Sequence, residues 1–236
     1  MMKKAIVYIN QFFGQIGGED KADFEPVIKE GLVGPALEYQ NQLGDEVKVT
    51  HTIICGDNYM GSHTEEAIKT ILGFLEDKEF DIFFAGPAFR AGRYGTACGH
   101  IGKAVQEKFN VPVITSMNDE NPGVEMFRKD LYIFKGGASA ASMRNDIKKM
   151  VDFGKKILNG EELLSAEEEG YFGRGVRKQV WLNPPVTAAD RVMDMLLKKL
   201  NGEPFQTELP IPPQDKVPIA PPIKDLSKAT IAIVTS

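Results

Sequence analysis

Along the first 160 residues, short apolar runs alternate with stretches of helical spacing, and few folds accommodate that rhythm. Residues 5–9, 47–55, 81–85, 111–115 and 131–135 read as buried strands, rich in β-branched and aromatic side chains. Between and after them, residues 33–43, 64–77, 93–109 and 139–158 carry helical patterns. Gly44 sits where a C-cap is expected, and Thr64 stands at a helix start with Glu65 and Glu66 in the first turn, where the helix dipole favours acids. Met143, Ile147, Met150, Val151, Ile157 and Leu158 form one apolar stripe. The alternation predicts an α/β fold: a mostly parallel, Rossmann-like doubly wound sheet with helices on both faces, over residues 1–160.

Beyond Gly160 the character changes. Residues 161–202 read as a helical extension, with a helix over 187–200 that Thr187 caps and Gly202 ends. Residues 203–228 hold prolines at 204, 210, 212, 213, 218, 221 and 222. Proline fixes φ and donates no amide hydrogen bond, so this stretch is expected to be an extended linker. Residues 229–236 then read as a buried parallel strand, expected to open a second α/β domain lying past Ser236, the alternative being an edge strand of the first sheet.

The charge balance, 28 Lys and Arg against 33 Asp and Glu for a net of −5, argues against nucleic-acid binding, as does the lack of any basic block. No apolar run approaches the roughly 18 residues that span a bilayer. The run after Lys3 and Lys4 meets Asn10 and Gln11 with no cleavage signal, so it reads as a first strand and the protein as cytoplasmic. Cys55 and Cys98, the two cysteines, fit a reducing compartment.

In an open parallel sheet, ligands bind beyond the carboxyl ends of the strands. Polar and glycine-rich residues collect there, at 10–20, 55–59, 86–95 and 116–123, and these loops are expected to share one rim. Substrate contacts are expected from Gln11, Phe12, Asp57, Asn58, Tyr59, Arg90, Arg93, Tyr94, Glu120 and Asn121. Each has a plainer reading. Gly14, Gly17 and Gly18 lack the G-x-G-x-x-G spacing and suit an ordinary turn, while Gly86, Gly92 and Gly95 suit close helix packing. Arg90 and Arg93 serve either as surface salt-bridge partners or as a charge-assisted fork for a carboxylate. Burial is the reading for Cys98 and, although it ends a strand beside Asp57, for Cys55. His51, His63 and His100 show no metal-ligand spacing, so no metal is expected. No Walker loop or Ser-His-Asp pattern is present, and no catalytic residue is assigned.

At these same loops the chain resembles a known family. The segments Tyr-Ile-Asn-Gln-Phe-Phe-Gly from Tyr8, Ile-Gly-Gly-Glu-Asp-Lys-Ala-Asp from Ile16, Ile-Cys-Gly-Asp-Asn-Tyr from Ile54, Ala-Gly-Pro-Ala-Phe from Ala85 and Ala-Gly-Arg-Tyr-Gly from Ala91 are similar to the large subunit of component B of the glycine/sarcosine/betaine reductases. So are Glu-Asn-Pro-Gly-Val-Glu-Met-Phe from Glu120, Ser-Ala-Ala-Ser-Met from Ser139 and Leu-Asn-Gly-Glu-Pro-Phe from Leu200. The resemblance runs from Ala5 to Ser236. It implies a subunit, cytoplasmic and from amino-acid-fermenting anaerobes, of an oligomeric oxidoreductase that reductively cleaves the C–N bond of betaine, sarcosine or glycine. It implies as partners a pyruvoyl-containing component B subunit and the selenoprotein component A, with component C forming acetyl phosphate. It implies no cofactor in this chain: the pyruvoyl group belongs to the partner, and the selenocysteine to a segment further toward the C-terminus. This sequence has no selenocysteine and no C-x-x-C, so it is expected to carry substrate contacts without turnover by itself. The alternative is a stand-alone small-molecule-binding α/β module without redox activity.

Residues 14–26 resemble the betaine or sarcosine branch of that family more than the glycine branch, and the lean is to betaine. A quaternary ammonium is held by aromatic faces, and Phe12, Phe13, Tyr59, Phe89 and Tyr94 lie in the rim loops. A glycine site would need acceptors for an ammonium, and Asp57, Glu120 and Asn121 are available.

Overall fold

The sheet is built around its first strand. In the computed structural model, which describes residues 2–175, 184–205, 219 and 221–230, six strands run β1 (Lys3–Asn10), β2 (Val27–Glu30), β3 (Val47–Cys55), β4 (Ile82–Phe89), β5 (Val113–Met117) and β6 (Tyr132–Lys135). Their spatial order is β2-β3-β1-β4-β5-β6, parallel throughout except for β2, which pairs antiparallel with the edge of β3. Without β2, the parallel strands follow the flavodoxin-like order 2-1-3-4-5, whose direction of winding reverses between β1 and β4.

Strand periodicity sorts the core into two layers. Ile6, Tyr8, Ile53, Cys55, Phe83 and Ala85 face one way and pack against α2 (Asp57–Ser62), α3 (Thr64–Leu75), α4 (Gly92–Phe109) and α5 (Pro122–Phe127). Ala5, Val7, Ile9, Ile54, Ile82 and Phe84 face the other way, toward α1 (Ala36–Leu43) and α6 (Met143–Asn159). The doubly wound α/β sheet expected from the sequence is therefore present, with helices on both faces. Residues 161–175 turn back to the sheet: α7 (Ala166–Glu169) precedes Tyr171, which bridges Phe134 and stacks edge-on to it.

Several boundaries move. The third parallel strand runs on through a cis Gly86–Pro87 bond and a register shift to Phe89, rather than ending at residue 85. The residues read as loop at 57–59 open α2, and those at 122–123 open α5. The last long helix begins at Met143, after a 3-10 turn at Ala140–Ser142. Thr64 starts α3 but does not cap it; its hydroxyl bonds the Met60 carbonyl oxygen at 2.7 Å.

In the C-terminal unit, α8 (Ala188–Leu200) starts as expected at Thr187, which forms a reciprocal capping box with Asp190. Much of the proline-rich stretch (206–218 and 220), and residues 231–236 of the closing apolar run, lie outside the described residues.

Candidate functional site

A cleft of about 410 Å³ opens at the winding reversal, at the carboxyl ends of β1 and β4. Its lining includes Asn10, Gln11, Phe12, Phe13, Asp57, Phe89, Arg93 and Tyr94, with Ala138–Ala140 closing one side. A furrow between α1 and α6 is larger, but it is lined by exposed Arg144, Asn145, Lys148 and Asp152 and has no convergent buried polar group.

The polar wall is made by β1 and α2. Asn10 and Gln11 leave the end of β1 almost fully buried. Asn10 Nδ2 donates to Asp57 Oδ2 at 2.8 Å, and Asp57 N–H donates to Gln11 Oε1 at 3.1 Å. Gly56, just before α2, permits the close approach of the 22–24 loop: a Cβ there would strike the Ala22 carbonyl and the Phe24 amide. Asp57 Oδ1 is shielded from solvent and has no hydrogen-bond partner among the described residues. Burial pushes the Asp57 carboxyl up to about 6. The Asn10 hydrogen bond and the Arg93 charge pull it down, and the Glu19 carboxylate pushes it further up.

The apolar wall is aromatic. The Phe13 ring lies 5.9 Å from both Phe89 and Tyr94, and Phe12 meets Phe13 edge-on at 5.3 Å. Phe12 itself is 61% exposed at the mouth. Phe89 is brought there by the register shift in β4 and by a backbone φ of +54°, a conformation unusual for a bulky side chain.

Beneath the cleft lies a layer of buried, uncharged polar groups. The Tyr94 hydroxyl sits beside the Cys98 thiol and the Asn10 backbone, and the Tyr8 hydroxyl beside the Cys55 thiol, yet neither hydroxyl makes a hydrogen bond of good geometry. Burial raises both phenols well above their usual range, raises Cys98 likewise, and pushes Cys55 up to about 12. Both thiols are therefore protonated near neutrality, which is the buried state expected for them.

The expected contact residues divide. Gln11, Phe12, Asp57, Arg93 and Tyr94 meet at the cleft. Asn58 stands beside it, bonded to Arg93 Nη1. Arg93 Nη2 is also paired with Glu19 at 2.6 Å, on an exposed arm. Tyr59 points elsewhere and stacks on His63 at 4.8 Å. Arg90 pairs with Glu120 at 2.8 Å, both exposed and neither on the cleft wall. Asn121 is a buried brace: Nδ2 donates to the Phe89 and Ala91 carbonyl oxygens at 2.9 and 3.1 Å, and Oδ1 accepts the Gly123 N–H at 3.0 Å. Asn10, Phe13 and Phe89 also line the cleft, and in the sequence Asn10 stands out only as the opening of the first rim loop. Its position at the end of a buried strand was the available signal.

Among the described residues, no group of three or more His, Cys, Asp or Glu is placed to hold a metal, and no helix is long and apolar enough to cross a membrane.

Known proteins match this chain from end to end. The family "Glycine/sarcosine/betaine reductase selenoprotein B" covers residues 2–236. The chain is 62% identical over its whole length to the betaine reductase complex component B subunit beta of Peptoclostridium acidaminophilum, covering 54% of that protein. It is 50% identical to the glycine reductase complex component B subunit gamma of Carboxydothermus hydrogenoformans and 47% identical to the sarcosine reductase complex component B subunit beta of P. acidaminophilum, in each case over 99% of this chain and 53% of the relative. The chain thus spans about half the length of these curated relatives. No solved structure matches it. With an unbroken match over its whole length, the chain belongs to the glycine/sarcosine/betaine reductase component B family.

Proposed function

We propose that this chain is the substrate-side part of the large component B subunit of a cytoplasmic amino-acid reductase complex. The complex reductively cleaves the C–N bond of a small amine-bearing acetate, with betaine the favoured substrate. The carrying observation is the match along the whole chain, highest among the three relatives above for the betaine reductase subunit, 62% against 50% and 47%. The cleft supports it. An aromatic wall suits an alkylated amine, and Arg93, beside the positive end of α4, suits the carboxylate common to all three substrates. Arg90 is the lesser candidate, since its guanidinium is committed to Glu120 and Asn118 away from the cleft.

The partners in this reading are a pyruvoyl-containing component B subunit and the selenoprotein component A. Bond cleavage draws on that pyruvoyl group and on selenocysteine, both outside this chain. The chain's own thiols do not fit a redox role, because a buried, protonated thiol neither attacks nor resolves a disulfide. Its residues instead bind and orient the substrate, with Arg93 at the carboxylate and the Phe12–Phe13–Phe89–Tyr94 cluster over the amine end. The test is amine release by the complete complex. Trimethylamine from betaine is expected. Ammonia from glycine with no activity on betaine ends the betaine reading.

A further inference from the structure

Several acceptors around the cleft are already in use. Asn10 Oδ1 accepts the Phe13 N–H at 3.1 Å, Gln11 Oε1 the Asp57 N–H at 3.1 Å, and Glu19 Oε1 the Arg93 Nη2 at 2.6 Å. Backbone oxygens around the rim are engaged too: Asn10 by Gly14 N–H at 2.8 Å, Gln11 by Ile16 N–H at 3.0 Å, and Ser139 by Ser142 N–H at 3.1 Å. Asp57 and Tyr94 each keep a buried oxygen without a partner among the described residues. One Asp57 oxygen is fixed by Asn10 and the other is buried, in a cleft whose other wall carries the Phe13, Phe89 and Tyr94 rings.

Amine ligands of different alkylation make different demands on such a cleft. A primary ammonium brings three N–H donors, each of which needs an acceptor once water is stripped away. A quaternary ammonium brings none. It needs an opposite charge and polarisable aromatic surface, which is what the wall retains. We propose that Asp57 is the counter-ion for the onium group of the ligand, and that the aromatic rings of the same cleft favour a fully alkylated onium over an ammonium. This rests on the reading that the cleft is the substrate site of the reductase. The carboxyl tolerates burial without a ligand because its acidity is weakened there, and an arriving cation favours its ionised form.

The test uses the complete complex and two probe sets. The first is glycine, sarcosine, dimethylglycine and betaine. The second is 3,3-dimethylbutanoate, which has the shape of betaine with carbon in place of the charged nitrogen. Affinity, read as KM or as competitive inhibition, is expected to rise with each methyl group, and dimethylbutanoate is expected to bind at least about tenfold more weakly than betaine. Asp57→Asn is expected to weaken betaine by about tenfold or more while leaving dimethylbutanoate within about twofold, so that the two converge. Asp57→Glu is expected to restore part of the gap. Dimethylbutanoate matching betaine on the parent complex overturns the proposal, even if Asp57→Asn does not assemble. Tighter binding of glycine than of betaine overturns it as well. If Phe13→Ala and Arg93→Ala raise KM while Asp57→Asn keeps the preference for charge, the counter-ion assignment falls and the cleft stands. If none of the three changes KM, the cleft is not the substrate site and both readings fall.

Discussion

Each end of β1 meets an aspartate from a neighbouring segment, and the two carboxylates are treated in opposite ways. At the amino end, Asp81 accepts Lys3 Nζ at 2.9 Å and the Lys4 N–H at 2.8 Å. Partial burial works against its charge, but those hydrogen bonds and the two ammonium charges outweigh it and hold the carboxyl below its usual range. At the carboxyl end, Asp57 is given one amide from Asn10 and a distant guanidinium, and burial wins, leaving it at about 6. One end is electrostatically complete and ties the strand starts together. The other carries an unmet demand where the winding of the sheet reverses. Perturbed acidity in a cleft marks a site, whereas a satisfied ion pair on the rim marks structure.

The largest expected effect tests how deep the burial at the carboxyl end goes. Near pH 8, iodoacetamide is expected to label neither Cys55 nor Cys98 in the native protein and both after denaturation, because a thiol near 12 in place of 9 carries roughly a thousandfold less thiolate. Mass analysis reads this directly, and rapid native labelling of either thiol would mean that the layer under the cleft is open to water.

The next test separates the two aspartates by pH. Native Asp57 keeps its proton up to about 6, above the roughly 3.9 of an unfolded chain, so its contribution to stability is full below about pH 4 and is lost as pH rises through about 6. Asp81 runs the other way: its contribution is full above the unfolded value and is lost as pH falls through its lowered native value. Thermal melts from pH 3 to 7 are expected to show Asp57→Asn gaining on the parent as pH rises, and Asp81→Asn falling behind above about pH 4, with that gap closing in acid. Parallel curves for all three proteins would erase the contrast.

A third test contrasts the arginines within the carboxyl-end rim. Arg93→Ala is expected to raise KM for a carboxylate substrate by about tenfold in the complete complex, and Arg90→Ala to leave it within about twofold. Equal effects would move the carboxylate site out of the cleft. Smallest is the structural end by itself: Asp81→Ala is expected to destabilise by about 1 kcal/mol, a shift of a few degrees in Tm, with substrate kinetics unchanged. A change in KM there would mean that the two ends are not separable.

The hydrophobic pattern made the strands and their burial legible. The run at 47–55 became β3 without adjustment, and the rim loops followed from strand polarity. β2 carries little signal because its four residues, two half-exposed and two exposed, lie at a sheet edge after Pro26 without periodicity. α2 and α5 carry little because each is six residues long and begins with residues that equally suit a turn. At the site, residue types were readable and their directions were not. Tyr59 and Tyr94 looked alike as rim aromatics, yet one stacks on His63 and the other forms the floor of the cleft. Glu120 and Asp57 looked alike as acceptors, yet only Asp57 is spared an arginine in direct contact. Which partner a polar side chain finds is decided by tertiary packing, and spacing along the chain does not encode it.

The Asn121 brace bears on how specificity can be re-engineered. One side chain fastens the turn after β4 to the start of the helix after β5, and a Cβ at Gly95 would collide with it. These two loops come from different crossovers but behave as a single casting, with Phe89 and Arg93 set on it at fixed spacing. Grafting the 86–95 loop alone from a relative of different preference would therefore shift the cleft floor along with the residues being exchanged. A transplant that keeps its geometry has to carry 86–95 and 118–123 together.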